Sequence, residues 1–155
     1  MVLASARKLA EEYADKSFNY DFPDGLFKLL DENSIVALTT SEGDNVVLEI
    51  LPMEQKLVGE FDKVITQWIE LKSDDLLLIL THAEFTEICT RKGDYKIYGW
   101  PVKKIEGMEQ GLYKLKIGID DFRDNFDEID AYFRLTISIA KNEEREANRV
   151  MEIVL

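Results

Sequence analysis

From Tyr113 the chain alternates apolar and polar residues, with Tyr113, Leu115, Ile117 and Ile119 set against Lys114, Lys116 and Gly118. Phe133, Leu135, Ile137 and Ile139 repeat the pattern against Arg134, Thr136 and Ser138. A period of two sends successive side chains to opposite faces, so each run predicts a strand with one face on a core. Two such strands cannot bury their apolar faces alone, and the rest of the chain must supply the partners. Ile35–Thr40 and Val46–Leu51 read as short strands joined by a hairpin loop at Ser41-Glu42-Gly43-Asp44-Asn45. Phe61–Leu71, the fully apolar Leu76–Leu80, Phe85–Thr90, Tyr95–Trp100 and the terminal Val150–Leu155 complete the set.

About eight short strands at fairly regular spacing predict a mainly β fold, an antiparallel β-sandwich, with a barrel as the related solution. Before them, Leu3, Ala6, Leu9, Ala10 and Tyr13 recur at three- and four-residue spacing and predict a helix over the first fifteen residues. Leu26–Leu30 reads as one helical turn after Pro23-Asp24-Gly25. The expected organisation is a single domain, 1–155, in which a helical N-terminal segment, 1–32, packs on a β-sandwich, 33–155. The length suits one domain, and 46% hydrophobic residues provide enough material for a core.

Charge excludes more than it identifies. A net charge of −12 with an isoelectric point near 4.5 repels phosphate backbones and anionic lipid, so neither nucleic acid nor membrane is expected as a partner. The same charge favours encounter with a basic protein. No apolar stretch is long enough for a helical span, the N-terminus does not read as a signal peptide, and Cys89 is the lone cysteine. Cytoplasm is the expected compartment.

Catalytic motifs are missing from the sequence. His82 is the single histidine, expected as a strand-end surface residue. His82-Ala83-Glu84 forms an H-x-E without the P-C-x-x-C half of a zinc deaminase signature. Cys89 sits among apolar neighbours as a small core filler. There is no G-x-S-x-G elbow and no glycine-rich phosphate loop. A carboxylate pair of the glycosidase kind cannot be picked out by spacing in so acidic a chain, and Trp68 and Trp100 read as core or rim packing. Neither an enzyme nor a cofactor is expected.

The most distinctive stretch is Asp120-Asp121-Phe122-Arg123-Asp124-Asn125-Phe126-Asp127-Glu128-Ile129-Asp130. Hard cations take oxygen ligands at regular loop positions, but counting from Asp120 puts Phe122 at the third, and counting from Asp121 puts Arg123 there. No metal site is expected. Two readings remain open: a solvated loop with Phe122, Phe126 and Ile129 tucked inward, or a contact surface. In the second, Asp120, Asp121, Asp124, Asp127, Glu128 and Asp130 attract a basic partner, with Phe122 or Phe126 as an apolar anchor.

The segment Arg91-Lys92-Gly93-Asp94-Tyr95-Lys96-Ile97-Tyr98-Gly99-Trp100 resembles the late hairpin of the competence protein J family, inhibitors of the DNA-entry nuclease. In that family a Lys-Gly-Asp-Tyr turn leads into a strand carrying a tryptophan, and the order of the preceding strands is similar over the middle half of this chain. The resemblance implies a small β-sandwich that binds and silences a nuclease, and it carries no functional residue across. The expectation is therefore an acidic binding domain, an inhibitor or immunity protein against a basic nuclease or toxin. The alternatives are a small-ligand-binding or hydrolytic β domain with an acidic pocket, and a structural or assembly subunit. The sequence leaves the oligomeric state open.

Overall fold

The computed structural model describes residues 1–18, 24–40, 46–125, 132–144, 146, 148 and 151–153. Among these residues, nine strands lie in two sheets: β1 (Val2–Ser5), β2 (Ile35–Thr40), β3 (Val46–Ile50), β4 (Lys63–Leu71), β5 (Leu77–Leu80), β6 (Lys103–Ile105), β7 (Gly111–Asp121), β8 (Phe133–Asn142) and β9 (Met151–Ile153). The first sheet runs β6-β5-β1-β2-β9 and the second β3-β8-β7-β4. Helices are α1 (Ala6–Tyr13), α2 (Phe27–Asp31), α3 (His82–Thr90) and α4 (Tyr95–Tyr98). The chain is mainly β.

Period-two geometry explains the layering. In β1, Leu3 turns to one side while Val2 and Ala4 turn to the other; in β2, Val36 and Leu38 part from Ile35 and Ala37 in the same way. Leu3, Val36, Leu38 and Leu77 meet Ile65, Ile69, Tyr113, Leu115, Ile117, Leu135 and Ile137 of the second sheet. On the opposite face, Val2, Ala4, Ala37, Leu78 and Leu80 meet Leu9 and Tyr13 of α1, Leu29 and Leu30 of α2, and Phe85 and Ile88 of α3. The five-stranded sheet is thus covered on both faces, which is why β1 and β5 are continuously apolar rather than alternating. The doubly buried reading of Leu76–Leu80 holds, and β7 and β8 fall where their alternation put them.

Several expectations need correction. The sheets are not purely antiparallel: β2 pairs in parallel with β9, and β3 with β8, Val46 opposite Phe133 and Ile50 opposite Ile137. Parallel pairing requires a long connection, and both pairs are distant in sequence. β2 and β3 stand in different sheets, so they form no hairpin; the loop at 41–45 lies outside the described residues.

The N-terminal segment is not helical from its start. Val2–Ser5 is a central strand, and α1 begins only after Ser5, whose hydroxyl caps it by accepting from Lys8 N–H at 3.1 Å. Phe85–Thr90 belongs to a helix, α3, opened by a capping box in which Thr81 and Glu84 bond each other's backbone. His82 is therefore a first-turn helical residue and not a strand end; its Nε2 lies 3.0 Å from the Leu38 carbonyl oxygen. Tyr95–Tyr98 is one helical turn, not a strand, set between the Asp94 cap and Gly99 in the left-handed conformation, φ 82°. Gly93, φ 67°, turns the chain out of α3 against α1, where a Cβ would collide with the Leu9 carbonyl.

Candidate binding site

The acidic stretch begins on the last residues of β7. Asp120 and Asp121 are half-buried and stand opposite Arg134 and Phe133 of β8. The Asp121 carboxylate takes the Arg123 guanidinium in a fork, with Nε at 3.0 Å from both oxygens and a terminal nitrogen at 2.7 Å. It also accepts from the Arg123 backbone at 3.0 Å. These bonds hold the Asp121 carboxyl below the ordinary carboxylate range. Asp120 shifts the other way: partial burial raises it, Arg134 opposes that rise, and Asp62 adds to it. Asp62 also accepts the Asp121 N–H at 2.8 Å, which ties the segment before β4 to this corner.

Phe122 is half-buried and its ring is covered by the Arg134 guanidinium, 5.1 Å from the ring centre. Arg123 covers Phe133 in the same way at 5.4 Å. Two arginines are thus drawn onto Asp121 and Phe122, which the sequence suggested for a partner. Asp124 alone of the four described candidates is exposed. Phe126, Asp127, Glu128 and Asp130 lie outside the described residues.

A second feature arises where both sheets end on the same side. β3 and β6 are edge strands of different sheets, and residues of both line a groove of about 830 Å³. Its walls are Ile50, Ile105, Met108, Tyr113 and Ile139, with Leu51, Pro52 and Met53 along one lip. The lip is built by the chain leaving β3, which folds across β8: Leu51 N–H bonds Ile137 O at 2.9 Å, and Glu54 N–H bonds Ile139 O at 2.9 Å. The opposite lip is the β6–β7 turn, where Gly107 takes φ 74° and Met108 points into the protein. Tyr113 secures that turn by donating from its hydroxyl to Glu109 O at 2.7 Å.

Carboxylates rim this apolar trough: Glu54, Glu106 and Glu109, against Lys141 as the cation in the lining. Lys141 is ion-paired with Glu109, and its N–H donates to Glu54 Oε1 at 3.0 Å. The pairing raises Lys141 and lowers Glu109 relative to their ordinary values. Glu109 is therefore a fixed negative charge at neutral pH rather than a poised proton donor. The volume lies within the ~300–1,000 Å³ of small-ligand pockets, and the apolar floor with a polar rim matches the anatomy of a protein contact.

The sequence did not reveal this groove, because its residues come from four separated stretches. Only Met53 and Met108 beside glutamates gave a local sign of it, and methionine is a common lining of adaptable binding surfaces. Among the described residues, no three His, Cys, Asp or Glu side chains are grouped to hold a metal ion. Cys89 is buried in the helical-side core, where burial pushes its thiol far up. Among the described residues, no helix is long and apolar enough to cross a membrane. Compared with known proteins, the chain matches no family model, no curated protein and no solved structure.

Proposed function

We propose that this chain is a binding protein, built as a β-sandwich, that holds a basic segment of a partner protein in the groove between β3 and β6. A nuclease or toxin kept inactive by that contact is the partner class that fits best. The groove itself carries the proposal: an apolar trough wide enough for one or two large side chains, rimmed by Glu54 and by Glu106 and Glu109, which would exchange the exposed Lys104 and Lys141 for a partner's lysines or arginines. The overall charge of −12 acts in the same direction by steering a basic partner inward. The single, buried cysteine supports the cytoplasm as the site of action.

The acidic β7–β8 corner takes a secondary part in this proposal. Asp121 and Phe122 already have arginine partners, so the encounter role passes to Asp124 and to the carboxylates that follow it in sequence. In a hydrolytic reading Glu109, held ionised by Lys141, would be a base or nucleophile and not the general acid.

Methyl and amide NMR titration tests the proposal with defined probes: an amphipathic peptide of leucine and lysine, and its leucine–glutamate counterpart. The lysine peptide should shift Ile50, Met53, Met108 and Ile139, and the shifts should weaken with salt and in E54Q/E106Q/E109Q. Equal response to both peptides, or response confined to residues elsewhere, would remove the groove from the account.

A further inference from the structure

One segment reverses the sign of the molecule. Between Arg91 and Ile105 stand Arg91, Lys92, Lys96, Lys103 and Lys104, with Asp94 as the sole acid. Arg91 lies 3.2 Å from Glu87, and Lys104 lies 2.8 Å from Glu106. Lys92 and Lys96 are exposed and make no ion pair among the described residues; Lys103, opposite Ile79, belongs to the other face of its sheet from Lys104 and Tyr95. Asp94, whose carboxylate accepts the Lys96 backbone N–H at 2.9 Å, offsets one of these five positive charges.

The same fifteen residues carry the most exposed tryptophan. Trp100 is 73% exposed and Ile97 is 52% exposed. Large apolar side chains left in water forgo the stabilisation of burial. They are not exposed because the segment is loose. Tyr95, Tyr98 and Val102 are seated against the helical-side core, and the Asp94 and Gly99 caps fix the turn between them. Anchored from below, the turn leaves Ile97 and Trp100 exposed in the stretch that carries Lys92 and Lys96.

We propose that this segment is a docking site for an anionic lipid bilayer surface. Indole prefers the boundary between water and hydrocarbon, and lysine stems reach over apolar surface while their ammonium groups stay at the phosphates. Anionic leaflets attract such clusters. The net charge of −12 speaks for the average surface, and here it fixes orientation: the acidic remainder is repelled, so the molecule stands on this segment. A single-stranded nucleic acid fits less well, because successive bases require several open ring faces. Tyr95 is already covered by the Lys104 ammonium at 5.7 Å, Tyr98 is half-buried, and Ile97 has no role in stacking. With one indole and one aliphatic side chain, binding should be reversible and should need both the apolar and the basic half.

Co-sedimentation of the full chain tests the proposal, using vesicles of phosphatidylcholine mixed with phosphatidylglycerol and vesicles of phosphatidylcholine alone. The expected result is partition onto the mixed vesicles, loss at high salt, and a blue shift of tryptophan emission absent from W100F. Partition should fall about fivefold for each lysine charge removed in K92Q and K96Q, and should be lost in W100S. These positions are exposed, so the variants should keep the wild-type circular dichroism and the groove's response to the lysine peptide. Absence of partition onto the mixed vesicles, or equal partition onto both, would overturn the proposal, as would partition unchanged by W100S and by K92Q/K96Q. Binding of an oligo(dT) strand without vesicle binding would reassign the segment to nucleic acid, and Trp100-dependent self-association without vesicle binding would assign it to a second copy.

Discussion

The side-chain amide of Asn148 pairs with the backbone of Trp68 as a neighbouring strand would: its Oδ1 accepts the Trp68 N–H at 2.8 Å and its Nδ2 donates to Trp68 O at 2.5 Å. The same Nδ2 donates to Ile35 O at 2.7 Å, so one buried amide joins β4 of one sheet to β2 of the other. Beside it, Glu70 N–H bonds Asn33 O at 2.8 Å. β4 is an edge strand, and this arrangement satisfies the edge that would otherwise invite pairing with another chain.

Asn148→Ala should therefore cost about 2–3 kcal/mol, since it leaves a buried donor and two buried acceptors unmet. Urea unfolding gives the energy, and hydrogen exchange gives the mechanism. The Trp68 amide should exchange much faster in the variant, while the Glu70 amide, bonded to Asn33, should keep its protection. A Trp68 amide that stays protected would show that the amide clip does not hold the edge.

Asp75 plays the corresponding part at the start of α1. Its buried carboxylate accepts from Ser5 Oγ at 2.5 Å and from the backbone N–H groups of Arg7, Lys72 and Leu76 at 3.0, 3.0 and 2.8 Å. Ser5 Oγ in turn caps α1, so the loop before β5 and the first helix share one hydrogen-bond centre. Asp75→Ala should destabilise by about 2–4 kcal/mol through unmet buried donors, and Ser5→Ala by about 1–2 kcal/mol as a lost cap. A double-mutant cycle should return a coupling above about 0.5 kcal/mol; strict additivity would mean that the two residues act separately.

What could be read from the sequence followed from the range of the interactions. Alternation in β7 and β8, and the wholly apolar run of β5, report burial on one face or two, and each was legible. Phe85–Thr90 misled because Phe85, Ile88 and Cys89 fit a helical face as well as a short apolar strand. The deciding signal was four residues upstream, where Thr81 and Glu84 form the capping box. β1 misled for a related reason: Leu3 falls by chance into the helical spacing of Ala6 and Leu9, although Ser5 already marks the cap. The groove was not legible at all, since Ile50, Met108, Tyr113 and Ile139 meet only once two sheets are stacked. At the acidic corner the residues were visible but their partners were not: Arg123 and Arg134 engage the very groups that composition suggested were open to a ligand.

That corner has a pH signature. The folded Asp121 carboxyl titrates below its ordinary value because Arg123 holds it ionised. A carboxyl lowered by folding contributes stability that is present above the unfolded value, near 3.9. The contribution is lost as pH falls through the lower folded value. Wild-type stability, measured by denaturant midpoints at successive pH values, should therefore drop more steeply below about pH 4 than that of Asp121→Asn or Arg123→Gln. Asp120, raised by burial, contributes with opposite sign, so Asp120→Asn should not flatten the acid limb. Superimposable acid limbs for wild type and Asp121→Asn would rule out the fork as a source of acid sensitivity.

Cys89 offers a readout of the helical layer. It is buried on α3 beside Phe85 and Ile88, and desolvation pushes its thiol well above the ordinary range. Only the thiolate reacts appreciably, so a disulfide reagent at mildly alkaline pH should label the native protein slowly, with full labelling in denaturant. Gly93→Ala should speed native labelling, because a methyl at Gly93 would push α3 away from Leu9 of α1 and open the layer over Cys89. The comparison is informative at the protein's own folded baseline: if native Cys89 reacts as fast as a free thiol in solution, the helices do not cover this face as the structure places them, while slow labelling unchanged by Gly93→Ala would show that the α1–α3 contact is not what seals it.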